Sequence, residues 1–258
     1  MARAPKSARP PVLRAVPVAE AETAPIDRAN LSETLYRRFR EALMNGHHPP
    51  GERLRIGALA EQYGVSITPV REAIFRLVSE GALVMRAATA VSVPVLTADQ
   101  LREIQLTRLL LEGACAERAA QLATPETTDA LEALHRRYIE AWRTDPVAAS
   151  RLNREFHTAL ACAAQAPIMV GVIKAMWAMM GPVLNPFHVA LKPRRLSTED
   201  HLHTEVIRAL RRRDPRAARE AIQADIRWSD TVIAWVEARA AADATAAVPP
   251  PAPRSRSR

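Results

Sequence analysis

Cysteine is nearly absent from this chain of 258 residues: only Cys115 and Cys162 occur, far apart and without the spacing of a metal pair. That excludes a disulfide framework and a zinc ribbon, and it suits a reducing cytoplasm. Long apolar runs are missing too. The nearest approach, "IMVGVIKAMWAMMGPVL", is interrupted by Lys174 and ends in Gly-Pro, and the N-terminus has no signal-peptide apolar core. The expectation is a protein that is neither secreted nor membrane-spanning. Large apolar side chains are also scarce at both ends, so residues 1–28 and 241–258 are expected to be disordered tails.

What is present is enough for one large or two ordinary domains: 48% of residues are apolar and 25% charged. The formal charge of +8 suggests a polyanionic partner or an anionic surface. The surplus is uneven, because residues 31–90 hold eight Lys or Arg against six Asp or Glu, a difference of +2. A nucleic-acid site in that segment must therefore work by placement rather than by bulk charge.

Apolar periodicity divides residues 29–96 into three helices. The first starts at Leu31 and aligns Leu35, Phe39, Ala42 and Leu43; the second, "IGALAEQYG", stops at Gly64. A tight turn from Gly64 to Ile67 leads into a third helix from Pro69 to about Glu80, with Thr68 as N-cap and Pro69 at its first position. Val70, Ile74, Leu77 and Val78 share its apolar face, and Ser66, Thr68, Arg71 and Arg76 lie opposite. "ALVMRAATAVSVPVL" then reads as a two-stranded hairpin turning near Ala87 to Thr89. Together these elements describe a winged helix-turn-helix. Residues 97–240 carry helical periodicity over roughly 98–122, 126–142, 147–163, 167–183, 199–212 and 214–239, with cap or turn signals before each, so an all-α antiparallel bundle of six or seven helices should follow. The fold class is mainly α.

Arg71 falls in the first turn of the third helix under this reading, where the macrodipole disfavours a cation unless an anion faces it. DNA phosphates and base edges would supply that anion at the exposed start of a recognition helix; a surface arginine solvated by water is the plainer alternative. The stretch "PPGERLRIGALAEQYGVSITPVREAIFRLVSEGALV" resembles the DNA-binding domain of the GntR family of bacterial transcription regulators. The resemblance covers about residues 31–95 and implies DNA contacts from Ser66, Thr68, Arg71 and Arg76. Two positions depart from it: Ile67 stands where many members carry an arginine, and Ala90 stands in the wing where glycine is usual.

In the helical segment, "LNREFHTAL" places Asn153 and His157 about 40° apart on one helix. His203 aligns with Val206, Ile207 and Leu210, whereas His201 lies roughly 200° from it and should face away. Asp225 shares a stripe with Ala218, Ala221, Ile222 and Trp228, and an acid there needs a partner. Asn153, His157, His203 and Asp225 are thus donors from three helices suited to zinc, nickel or manganese; hydrogen bonding among the histidines and Asp225 without metal is the competing reading.

"LTRLLLEGACAERAA", "LNREFHTAL" and "HTEVIRALRRRDPRAAREAIQADI" resemble the FadR-type C-terminal ligand-binding domain, FCD, over about residues 98–238. Many such domains hold a metal with an Asp, a His four residues on, and two more His. By position these become Asn153, His157, His203 and Asp225, with departures at the first and last. The resemblance further implies that Arg108 binds the carboxylate of a small organic-acid effector, a task its two-pronged donor geometry fits; a surface ion pair with Glu112 is the alternative. The expected protein is a cytoplasmic homodimeric repressor, reading a palindromic double-stranded DNA operator under effector control, and not an enzyme. A metal-dependent enzyme acting on a small carboxylate, with His157, His203 and Asp225 around an activated water, is one rival. An architectural DNA binder driven by basic tails is another.

Overall fold

Three apolar stripes in the first third of the chain fold around one core. In the computed structural model, which describes residues 28–87, 90–190 and 201–246, helix α1 (Arg28–Met44) buries Leu35, Tyr36, Phe39 and Leu43 against α3 (Ile67–Ser79). Between them α2 (Ile56–Tyr63) ends at Gly64, whose φ of 63° is the left-handed C-cap conformation that glycine reaches without a Cβ penalty. The expected third helix thus exists but starts earlier. Ser66, extended at φ −71° and ψ 161°, is the N-cap, and Pro69 sits at the third helical position. A proline costs nothing there, because none of the first four N–H groups has an intrahelical acceptor. Arg71 is consequently in the second turn, and Thr68 does not cap the helix.

The wing contains strands β2 (Val84–Ala87) and β3 (Ala90–Ser92), as expected; residues 88–89 of the turn lie outside the described residues. A further strand, β1 (Arg53–Leu54), adds to β3, giving an antiparallel sheet of order β1-β3-β2. Two residues are too short to leave an alternating pattern in the sequence.

The remainder is helical: α4 (Ala98–Leu122), α5 (Pro125–Thr144), α6 (Pro146–Ala163), α7 (Pro167–Ala190), α8 (Leu202–Arg211), α9 (Pro215–Arg227) and α10 (Asp230–Ala246). A capping box starts α4, with Thr97 Oγ1 accepting from Gln100 N at 3.2 Å and Gln100 Oε1 from Thr97 N at 2.9 Å. The single helix expected over 214–239 is broken at Trp228 and Ser229, so seven helices form this part of the described chain. Helix α10 runs to Ala246, beyond the expected tail boundary, as an alanine-rich segment with high helix propensity can. Of the expected tails at 1–28 and 241–258, Arg28 and residues 241–246 are helical, and 1–27 and 247–258 lie outside the described residues.

Helix α7 passes through Pro182 and Pro186 instead of stopping at Gly-Pro. It is long and apolar enough to cross a membrane by length and composition, and half of its most apolar window is buried inside the protein. Its packing joins the two halves. Ala178 enters the core of the N-terminal domain, and a Cβ on Gly181 would stand 2.3 Å from the Leu43 carbonyl oxygen. On α6, Arg154 Nη2 pairs with Glu41 of α1 at 3.3 Å and donates to Oδ1 of Asn45, the residue after α1, at 2.9 Å.

Candidate functional site

The first candidate surface is the outer face of α3. Ser66, Thr68, Arg71 and Arg76 are all exposed there, as are Ile67 and Phe75. Arg71 makes no ion pair among the described residues. Arg76 is differently placed: its guanidinium pairs with Glu33 of α1 and lies 3.7 Å above the Tyr36 ring, and Glu33 raises its pKa. It ties α3 to α1. Tyr36 donates to Glu80 at 2.5 Å and, buried beside that carboxylate, is pushed up to about 12.

The second candidate lies inside the bundle, where Arg108, Glu112, His157 and Asp225 form a buried row of alternating charge. Arg108 Nε donates to Glu112 Oε1 at 2.5 Å. His157 Nδ1 lies 2.7 Å from Glu112 Oε2, and its Nε2 lies 3.0 Å from Asp225 Oδ2. Burial alone would lower the His157 pKa, but the Glu112 and Asp225 carboxylates outweigh it and raise it. Burial would conversely raise Glu112, yet Arg108 and His157 hold it at about 2, and Asp225 is held low by His203 and His157. The Arg108–Glu112 pair is therefore present as the alternative reading had it, but buried at 5% and 2% exposure rather than on the surface. Arg108 also lies 4.2 Å above the Trp177 ring and faces a small, largely apolar cavity lined by Leu101, Met180, Val183 and Ile233.

His157, His203 and Asp225 come together as the periodicity implied, each with a ligand atom within 4.8 Å of the others. Asn153 is half-buried one turn earlier on α6 and makes no hydrogen bond among the described residues. The donor set fits a divalent ion on two grounds. Glu112 holds His157 Nδ1 in the way outer carboxylates orient metal-binding histidines. Both ring nitrogens of His203, a fully buried side chain, lack a hydrogen bond among the described residues, and Nε2 is 3.8 Å from Asp225 Oδ1.

One expectation is corrected here. His201 does not face away: it precedes α8 as its N-cap, and its Nδ1 accepts the His203 backbone N–H at 3.2 Å, which folds its ring over the helix end. The helical angle of 200° had no meaning for a residue outside the helix. His135 of α5, buried beside His203, was missed; its spacing from Leu131 and Tyr138 at i−4 and i+3 was the available signal.

Residues 31–93 match the family described as bacterial regulatory proteins, gntR family, and residues 103–227 match the FCD domain. The chain is 34% identical over 185 residues to the HTH-type transcriptional regulator McbR of Escherichia coli K12, covering 71% of this chain and 84% of that protein. The chain belongs to the GntR family. This transcriptional regulator is also 31% identical over 172 residues to the Nta operon transcriptional regulator of Aminobacter aminovorans, covering 67% of it and 80% of that relative. Among solved structures, E. coli McbR/YncC superposes with a TM-score of 0.73 at 30% identity, over 80% of the GntR-family chain and 97% of that structure. The helix-turn-helix with its wing and the all-α FCD domain are thus both accounted for.

Proposed function

We propose that this GntR-family protein is a cytoplasmic homodimeric repressor whose α3 reads one half-site of a palindromic operator, and whose FCD domain senses a small organic acid. The observation that carries the reading is the free guanidinium of Arg71, exposed beside Ser66 and Thr68 near the start of α3. Ser66 and the unbonded N–H groups of the first turn face a phosphate, and Arg71 reaches base edges. Arg76 joins them only by releasing Glu33, so its part is smaller. Leu106 and Leu110, exposed at 57% and 56% on α4, support a second copy of the chain as partner.

In the sensor, Arg108 is the effector's anchor. Its Nη1 makes no hydrogen bond among the described residues, and it borders a small, largely apolar cavity that would have to widen to admit an acid. Asn153, His157, His203 and Asp225 would hold a divalent ion, zinc, nickel or manganese, with Glu112 orienting His157 from behind. That ion would supply a Lewis-acid site for the effector's carboxylate. Loading it requires the proton on His157 Nε2 to leave.

The test is selection of bound fragments from genomic DNA by the full chain, repeated with pooled carboxylates. An enriched palindromic sequence released by one acid is expected. Arg71→Ala should then weaken operator binding by about 1 to 3 kcal/mol with unchanged helicity; no enrichment, or an unaltered affinity in that variant, would overturn the reading.

A further inference from the structure

The His157 set leaves a second group of imidazoles without a role. His135 of α5 and His201 before α8 stand around His203, with ring centroids 5.3 Å apart for His135 and His201, 5.4 Å for His135 and His203, and 4.4 Å for His201 and His203. One nitrogen from each lies within 4.8 Å of the other two. His135 and His203 are 1% and 0% exposed, and neither ring nitrogen of His203 has a hydrogen bond among the described residues. Leaving a buried polar atom unpaired is unfavourable, so an imidazole with two of them is poised for a ligand.

We propose that His135, His201 and His203 form a second divalent-cation site made of imidazoles alone, adjoining the His157–His203–Asp225 set and sharing His203 with it. Three nitrogens and no carboxylate select a borderline transition ion such as zinc, nickel or copper over magnesium or calcium. A tetrahedral ion with metal–nitrogen bonds of about 2.0 to 2.1 Å wants its donors about 3.4 Å apart, so the rings need close by only about 1.4 Å or less. Neighbours already orient them. Thr204 Oγ1 lies 3.2 Å from His135 Nε2, and His201 Nδ1 holds the His203 backbone N–H.

The experiment is equilibrium dialysis of the full chain against zinc, with the visible spectrum of the cobalt(II) form as a second readout. Asp225→Asn disables the carboxylate-containing set; this variant is expected to retain a bound zinc and the intense bands of four-coordinate cobalt. Adding His201→Asn, which removes the ring but keeps an N-cap oxygen, should weaken zinc binding by about 100-fold or more, above the range for losing an outer partner. Adding His135→Gln instead should do the same, with helicity checked by circular dichroism. If Asp225→Asn binds no zinc, or if the His201→Asn double variant binds as tightly as its parent, the imidazole site does not exist. No DNA enters the dialysis, so this outcome is independent of operator recognition.

Discussion

At the residue scale, the ionic row inside the FCD domain is an exercise in charge compensation. Arg108, Glu112, His157 and Asp225 alternate in sign, and each buried ion is paired on the side where water is excluded. Removing one member leaves its neighbours stranded. Glu112→Gln keeps the shape but faces two cations with a neutral amide, and should destabilise the fold by about 3 to 5 kcal/mol, read as a fall in the urea midpoint; an unmoved midpoint would show the pairing to be dispensable. The row was only half legible in sequence. His157, His203 and Asp225 sit on apolar stripes, so periodicity turned them inward. Arg108 and Glu112 defeat that logic, because α4 buries them while exposing Leu106 and Leu110. A pattern rule sends leucine inside and arginine outside, and it has no means of seeing a partner such as His157, 45 residues away from Glu112.

At the element scale, helix starts were the most readable feature. Thr124, Asp145 and Asp214 each accept backbone N–H groups at the start of a helix whose next residue is proline, so local chemistry alone marks the position. Helix ends were harder. Gly181-Pro182 reads as a stop, yet α7 continues to Ala190, and there His188 is buried at the extension. Its Nδ1–H donates to the Leu184 carbonyl at 2.8 Å, its ring stacks on Trp228 at 6.1 Å, and burial lowers its pKa to about 4. The unfolded chain binds a proton near pH 6.5 that the folded chain refuses until about 4. This contribution to stability is therefore full above pH 6.5 and falls away between 6.5 and 4, by about 3 kcal/mol at most. Thermal melts of His188→Leu should lose less stability over that interval than melts of the parent; parallel losses would remove His188 as the source.

At the scale of the whole molecule, the order of the two domains could be read from composition and period, but their docking could not. The contacts that fix it join residues more than a hundred positions apart, as Arg154 with Asn45 does, and a one-dimensional pattern carries no trace of them. The close approach at Gly181 is among the tightest of these. Any side chain there meets the backbone of Leu43 and Met44, so Gly181→Leu should force α7 away from α1 at a cost of about 1 to 3 kcal/mol. Limited proteolysis should then release the domains from each other; a digestion pattern like the parent's would mean the seam can yield.

Arg154 and His157 stand three residues apart on α6, one gripping the DNA-reading half and the other seated among the buried ions. Residues three apart share a helix face, so one turn of α6 carries both contacts, like an axle with two collars. On the proposed function, a ligand settling beside the histidine would either leave that axle where it is or turn it, and a turn would pass to α1 and, through α1, to α3.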